Sequence, residues 1–288
     1  MKASVKPGSV EVATDDNVNQ AAVAVMAGEA EAVATVSPHG VAGTFEMPSE
    51  GGLAAFPLSI KYSVSNGVSD DIPDGALMIG RKDERYMLVK ANQPVNVILL
   101  GSKFYARQWL SPEAYMNGET AKVYGSVEEA VKAGEVFARD PKGRQKTCGE
   151  ACALTLLVER PDGIPNDGKF CVVIGGREYA PCEIRVEKSA FFDFKPNYMT
   201  KMVLVKSLKV TGADGKPVRP AAPFDLRMTL TVRRKDLGSG KGKIYFPALG
   251  NQTSENGTPL MLSAEEMDEL RSIMSGNIRE AEDPDSAE

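Results

Sequence analysis

The chain has 288 residues, of which 42% are hydrophobic and 25% charged, a composition typical of a globular protein with enough apolar side chains for a sizeable core. Its length allows one large domain or two small ones. It contains no run of about 18 apolar residues and no basic N-terminal segment followed by an apolar block, so we predict neither a membrane span nor a signal peptide and expect a cytoplasmic protein.

The net charge of -5 is distributed unevenly along the chain. Residues 1–57 hold two cations and seven anions, residues 250–288 hold two cations and ten anions, and residues 58–249 hold 30 cations and 22 anions. A basic body with acidic ends is the electrostatic pattern expected of a nucleic-acid-binding protein whose tails compete for its own cleft. The alternative is that the acidic ends only aid solubility.

The N-terminal arm, residues 1–50, is rich in Ala, Val, Gly, Ser and acidic residues and has no aromatic side chain before Phe45. Such a segment has too little apolar surface to fold alone, so we predict a disordered arm. From residue 51 the pattern becomes strand-like, and residues 51–250 are predicted to form one domain. Its first three strands should form a meander over LAAFPLSIKYSVS, DIPDGALMIG and RYMLVK.

The segment PVNVILLGSKFYARQWLSP combines a buried strand with a candidate binding surface. Val95 to Leu100 is a nearly continuous apolar run, and Gly101 is predicted to form a bulge where the strand bends. Beyond it, cations and aromatic residues alternate on one face: Lys103, Tyr105, Arg107 and Trp109. Aromatic and Arg side chains on an exposed strand stack nucleic-acid bases, at about 1 to 3 kcal/mol per base. In the alternative interpretation, Tyr105 and Trp109 are half-buried core residues with polar tips.

A short helix and a basic linker follow this strand. Ser126 and Glu129 have the spacing of a capping box, which predicts a short helix. The polar linker after it is interpreted as a mobile basic flap that carries Arg139, Lys142, Arg144 and Lys146. Arg144 and Lys146 are candidate DNA contacts. A strand over ACALTLLVER comes next. A hairpin over KFCVVIGGREYAPCEIRVEK is then predicted to turn at Gly175-Gly176 or near Pro181.

The most aromatic window of the chain is SAFFDFKPNYMTKM, from Ser189 to Met202. Part of it must belong to the core, and Lys195 and Tyr198 within it are candidate DNA contacts. Pro196 lacks a backbone N–H and clashes with the preceding helical turn, so we predict that no unbroken helix crosses it. The segment from Val203 to Val210 is predicted to form another strand.

A second informative pattern lies in FDLRMTLTVRRKDLGSGKGKIYFP, residues 224–247. Apolar residues at every second position predict a half-buried strand: Phe224, Leu226, Met228, Leu230 and Val232. A Gly-Ser-Gly turn and a short return strand closed by Pro247 complete a β-hairpin. Its flexible cationic tip suits an anionic, flat ligand such as single-stranded nucleic acid. The predicted contacts are Arg233, Arg234, Lys241, Lys243 and Tyr245. A solvated loop on an ordinary β protein is the alternative.

Residues 251–288 are predicted to form a helix and an acidic tail. Ser263 with Glu266 marks the start of a helix whose apolar stripe comprises Leu262, Met267, Leu270 and Met274. The last residues, EAEDPDSAE, have no apolar side chain beyond two alanines and should not fold alone.

The composition also disfavours several kinds of catalysis. His39 is the only histidine and lies in the predicted arm, so mechanisms that need a histidine base lack it. No phosphate-binding G-x-x-x-x-G-K-S/T loop occurs. The spacings Cys148-x3-Cys152 and Cys171-x10-Cys182 differ from the C-x2-C of zinc ribbons, so the cysteines are interpreted as reduced thiols, with zinc binding left open. We expect no enzyme, no catalytic residue, no metal and no cofactor.

The combined pattern resembles the bacteriophage single-stranded DNA-binding proteins that have an OB-fold and an acidic C-terminal tail. The features that carry the resemblance are five or more predicted strands, a basic aromatic strand face, a helix between strands, a Tyr-Phe-Pro return strand and the acidic tail. It covers residues 53–288. It implies a mainly β, OB-fold-like five-stranded barrel with extra hairpins and short helices, DNA held in a cationic cleft, and a tail that recruits replication proteins. Two features depart from the family: the chain ends in Glu288 where some members end in an aromatic residue, and its N-terminal arm is long.

The sequence thus predicts a non-enzymatic protein that coats single-stranded DNA in phage replication or recombination without sequence preference. We expect it in the cytoplasm, that of the infected host if phage-encoded, with no membrane partner, and the pattern is compatible with a homo-oligomer. The alternative is a β-rich virion structural or scaffold protein whose aromatic residues form the core. A small-molecule enzyme is a third class, which the lack of histidine and cofactor motifs disfavours.

Overall fold

The computed structural model describes residues 58–63, 72–80, 85–137, 145–211, 215–238 and 242–274. The predicted arm and the acidic end of the chain lie outside these ranges, as do Arg139, Lys142, Arg144 and Lys241. The strands are β1 Leu58–Tyr62, β2 Leu77–Ile79, β3 Tyr86–Val89, β4 Val95–Gln108, β5 Val123–Tyr124, β6 Cys148–Glu159, β7 Val172–Ile174, β8 Arg177–Glu187, β9 Lys209–Thr211, β10 Pro217–Pro220, β11 Met228–Asp236 and β12 Lys243–Asn251. The helices are α1 Pro112–Met116, α2 Val127–Lys132, α3 Lys188–Ser207 and α4 Ala264–Met274, with a 3₁₀ turn at Pro223–Asp225.

Ten of these strands form one sheet that curls into a half-barrel, which confirms the prediction of a mainly β protein with few helices. The strand order is β12-β11-β4-β6-β8-β1-β2-β3, with β5 beside β4 and β7 beside β8. The predicted meander β1-β2-β3 is antiparallel, and β1 joins the rest of the sheet through a parallel pairing with β8. The sheet is therefore wider than the five strands predicted. β9 and β10 form a separate antiparallel pair.

The face of the sheet that packs against α3, which we call the inner face, carries the main core. This core runs from β1 and β2 to β11 and β12 and includes Ile60, Leu77, Leu99, Leu154, Ile184, Phe194, Leu230 and Leu249. The curl also brings the two ends of the sheet together. The Tyr245 ring packs on Gly75, whose φ of +77° suits glycine and where a Cβ would lie 2.5 Å from that ring. The Asn92 N–H donates to the Val232 carbonyl at 3.0 Å.

Helix α3 corrects two sequence predictions, because it continues without a break through Pro196 and through the segment predicted as a strand from Val203. Its buried side chains recur at helical spacing on the side facing the sheet: Ala190, Phe191, Phe194, Tyr198, Met202 and Val205. A proline inside a helix costs about 3 kcal/mol, whereas burial of each large apolar side chain contributes about 1.5 to 3 kcal/mol. The free energy gained by burying these side chains exceeds the local cost of Pro196. Only β9 remains of the predicted strand, and a helix of 20 residues replaces the short helices expected.

Local signals elsewhere predicted the structure well. The register of β4 against β6 shifts beside Gly101, which is the predicted bulge. The hairpin of β7 and β8 turns at Gly175-Gly176, and α2 begins after the predicted N-cap Ser126. Pro247 lies inside the longer strand β12 instead of closing it. β12 is an edge strand, where a residue without an N–H is tolerated.

Helix α4 packs on the opposite side of the sheet, which we call the outer face. The predicted capping box is present: the Ser263 hydroxyl accepts from the Glu266 N–H at 3.2 Å, and the Glu266 carboxylate accepts from the Ser263 N–H at 2.8 Å. Glu266 also forms an ion pair with Arg227. The predicted apolar stripe of α4 packs against one half of the outer face, through Ile98, Leu100, Leu157, Leu262, Met267, Leu270 and Met274.

Candidate nucleic-acid interface

The other half of the outer face contains the predicted cationic row of β4. Ser102 and Phe104 point to the inner face, because the Ser102 hydroxyl lies 2.6 Å from the Tyr198 hydroxyl of α3 and the Phe104 ring lies 5.3 Å from that of Tyr198. Side chains alternate along a strand. Lys103, Tyr105 and Arg107 therefore share the outer face, as predicted.

The strand register places these residues beside a row of small side chains. β6 lies between β4 and β8, and its outer-face residues are Gly149, Ala151, Ala153 and Thr155. Ala153 pairs with Lys103 on one side and Arg185 on the other. Neighbouring strands lie about 4.8 Å apart, so Lys103 and Arg185 stand about 10 Å apart across an alanine. The result is a shallow trough over Ala153 with long side chains on both sides. Over Ala151, Tyr105 and Arg107 reach across β6 to Glu187 and close the trough at that end.

Four cations from three strands, Lys61, Lys103, Arg107 and Arg185, form what we call the outer-face patch. Glu187 forms an ion pair with Arg107, and the Arg185 guanidinium donates to Glu183 at 2.6 Å. Two carboxylates therefore face four cations. Lys103 is exposed and has no ion pair within the described residues.

The pKa of Lys61 is lowered below its ordinary value. The causes are partial desolvation and the nearby guanidinium groups of Arg85, Arg185 and Arg107, which the attraction of Glu187 only partly offsets. Like charges thus repel one another in this part of the surface. An anion placed over the trough would relieve that repulsion.

Three tyrosines predicted to contact DNA are buried, so the prediction is corrected and we assign them structural roles instead. Tyr105, Tyr198 and Tyr245 are 9%, 3% and 8% exposed, so little of each ring is accessible to a base. The Tyr105 hydroxyl donates to Glu187 at 3.4 Å, and burial together with Glu187 raises the pKa of Tyr105 to about 12. The alternative interpretation, half-buried rings with polar tips, describes Tyr105 better.

Trp109 belongs to a cluster of three aromatic rings around the Lys146 ammonium, which we call the aromatic cluster. The Lys146 Nζ lies 4.8 Å from the centroid of Trp109, 4.7 Å from Phe137 and 5.4 Å from Phe192. Trp109 follows the end of β4, and its ring packs on Gly149, the register partner of Arg107. The cluster therefore adjoins the trough at the Arg107 end.

The first turns of α3 place one further predicted residue, Lys195, near the aromatic cluster. Lys195 pairs with Glu150 at 2.8 Å and lies 5.6 Å from the Phe191 ring. Asp193, which follows Phe192, accepts from Lys235 of the β11-β12 hairpin at 2.5 Å. The hairpin is thereby joined to the same end of the molecule.

The predicted hairpin is present as β11 and β12, and residues 239–241 at its turn lie outside the described residues. Its first strand begins at Met228 and not at Phe224, which lies in the 3₁₀ turn. Its exposed cations are Arg233, Arg234, Lys235 and Lys243. Arg234 donates to both carboxylate oxygens of Asp236, at 2.9 and 3.1 Å, and Lys235 is paired with Asp193. Among the described residues, Arg233 and Lys243 have no ion pair. Half of the described tip is thus neutralised by neighbouring carboxylates.

Sequence reasoning missed several members of this surface. Lys61, Arg185, Phe137 and Phe192 were not selected as site residues, although the alternation Glu183, Arg185, Glu187 in β8 signals a polar strand face. Whether these residues lie on the same surface as Lys103 depends on which elements become neighbours in the fold.

The four cysteines are free thiols, of which Cys171 is exposed and the other three are buried. Burial raises the pKa of Cys152 and of Cys182, so both are held as neutral thiols. Within the described residues, no three His, Cys, Asp or Glu side chains are grouped as metal ligands. The described helices include none with the length and apolar character needed to cross a membrane.

Comparison with protein-family models, with curated proteins and with solved structures gives no match for this chain.

Proposed function

We propose that this protein binds single-stranded DNA without sequence preference, in phage replication or recombination. The observation that carries the proposal is the row Lys103-Ala153-Arg185, in which two cations from different strands flank a floor of small side chains. A backbone phosphate over Ala153 would lie between both charges. Contacts of this kind read phosphates and not base edges, so they favour binding without sequence preference.

The curled sheet supports an OB-type core as part of this proposal, with the trough over Ala153 as the strand-binding path. The acidic residues beyond the described part of the chain are proposed to recruit replication proteins and to compete with DNA for the patch. Both roles require no catalytic group.

A fluorescence titration with oligo-dT at two salt concentrations tests the proposal. Binding should weaken steeply with salt, because each phosphate contact adds about 0.7 to the slope of log K against log salt on single strands. Lys103→Ala should lower that slope by about 0.7. Lys209→Ala, which removes an exposed lysine from β9, is the matched control and should leave the slope unchanged. Absence of oligo-dT binding by the wild-type protein would refute the proposal.

A second candidate function, a virion structural or scaffold protein, is favoured by one observation on α3. This helix is also apolar on the side facing away from the sheet, where Phe192, Met199, Val203 and Leu204 are exposed. Phe192, Met199 and Val203 are spaced by seven and four residues and so lie along one line of the helix. An apolar ridge of this kind suits a protein interface.

Sedimentation of the wild-type protein and of Val203→Glu separates the two functions. Self-assembly that Val203→Glu abolishes, in a protein that does not bind oligo-dT, would favour the structural role. Val173→Glu provides a control, because Val173 is exposed on β7, away from the ridge.

A further inference from the structure

We propose that the aromatic cluster is a base-stacking subsite, in which Phe192 is the platform for a nucleobase and Lys146 binds the adjoining phosphate. The inference rests on the proposed function and adds a ligand chemistry to it. The outer-face patch explains contacts to phosphates only, and the buried tyrosines provide no stacking surface.

Phe192 has the accessibility that stacking requires. Its side chain is 60% exposed, in contrast to the three buried tyrosines. Phe191 supports it edge-on, with ring centroids 6.4 Å apart and an angle of 76° between the rings. The Lys146 ammonium lies over the ring, 5.4 Å from its centroid. The platform is thus fixed from within the protein while part of its surface stays open to a planar ligand.

Lys146 has a charge that is available to an anion. Three aromatic rings surround its ammonium group, and cation–π contacts leave the full positive charge in place. Within the described residues Lys146 has no carboxylate partner, whereas nearby Lys195 is paired with Glu150. A phosphate bound to Lys146 would therefore displace no ion pair.

The position of the cluster connects it to the proposed DNA path. Trp109 packs on Gly149, and Gly149 is the register partner of Arg107 at the end of the trough. Lys146 then links Trp109 to Phe192. A strand that passes from the trough over the Arg107–Glu187 ion pair would meet the Lys146 charge and the Phe192 ring next.

The test compares oligo-dT with an oligonucleotide of equal length whose sites are abasic, since both carry the same phosphates. The wild-type protein should prefer oligo-dT. Phe192→Ala should reduce oligo-dT affinity by about 5-fold to 150-fold, the effect of losing one stacked base, and leave abasic affinity unchanged. Phe192→Trp should retain the preference. Lys146→Met should lower the affinity for both oligonucleotides and lower the salt slope by about 0.7.

The control is Tyr115→Ala on α1, because Tyr115 is 77% exposed and takes no part in the cluster. It should behave as the wild-type protein, and thermal unfolding of each variant verifies the fold. Failure of the wild-type protein to bind either oligonucleotide would overturn the proposed function. Normal oligo-dT binding with no loss of preference in Phe192→Ala would overturn the subsite alone.

Discussion

The outer-face patch and the tip of the β11-β12 hairpin each present four described cations, but they hold them differently. In the patch, Lys103 and Arg185 flank a floor of small residues on the same face of the sheet. Arg107 is paired with Glu187 and Arg185 with Glu183, whereas Lys61 and Lys103 have no ion pair among the described residues. At the tip, Arg234 is paired with Asp236 and Lys235 with Asp193. The number of cations therefore does not identify a binding surface. Because two of the four cations are paired with carboxylates in each surface, the spacing of the cations decides whether one phosphate can meet two charges.

Paired charge reversals provide the strongest test of this difference. Lys103→Glu with Arg185→Glu removes two phosphate contacts, which should lower oligo-dT affinity by about 25-fold at 0.1 M salt, since each contact contributes about 0.7 log units there. Arg233 and Arg234 are consecutive in β11 and point to opposite faces of the sheet, so one phosphate meets only one of them. Arg233→Glu with Arg234→Glu should therefore lower the affinity by about 5-fold. Both pairs change the net charge equally, so each is the control for the other in the same titration. A larger loss at the hairpin would reverse the assignment.

The floor of the trough offers a test that leaves all charges in place. Ala153→Ile puts a larger, strand-favouring side chain between Lys103 and Arg185 and should hold a phosphate away from both. We expect a loss of about 5-fold in oligo-dT affinity, equivalent to one contact, with an unchanged midpoint of thermal unfolding. Val173→Ile, at an exposed position of β7, is the control. Unchanged affinity in Ala153→Ile would place the DNA path elsewhere, the hairpin being the next candidate.

Repulsion within the patch should appear as a small effect on stability. Lys61→Met removes one of the mutually repelling cations, so the free energy of unfolding at pH 7 should rise, by no more than about 1 kcal/mol for an exposed charge. Arg234→Ala breaks the hairpin ion pair and should lower it within the same limit. Urea denaturation measures both changes. A loss of stability in Lys61→Met would contradict the repulsion.

Desolvation of Lys61 and its repulsion by nearby guanidinium groups also give the stability a pH dependence, whose sign follows from the pKa of Lys61. This pKa is lowered from 10.5 in the folded protein, so the folded state loses that proton more readily than the unfolded chain. The destabilisation of the folded state by charged Lys61 is present in full below the lowered pKa. It disappears as the pH rises through that pKa toward 10.5. The stability difference between Lys61→Met and the wild-type protein should therefore shrink over that range.

Local signals in the sequence were sufficient for the elements that depend on neighbouring residues. The bulge at Gly101, the turn at Gly175-Gly176, the capping box at Ser263 and the β11-β12 hairpin each arise from contacts within a few residues or between adjacent strands. Period-two alternation also placed Lys103, Tyr105 and Arg107 on one face, since strand geometry alone requires it.

Tertiary structure decided the length of the long helix, which rings are buried and which strands are neighbours. Burial against the sheet kept α3 continuous through Pro196, because the gain from its packed stripe exceeds the local cost of the proline. The same packing buried Tyr198, which alternation and composition could not distinguish from an exposed ring such as Phe192. Strand order put Arg185 across Ala153 from Lys103, a pairing between residues distant in the chain. Composition established that the body of the chain is cationic, and only the order and curl of the strands determined where those cations meet.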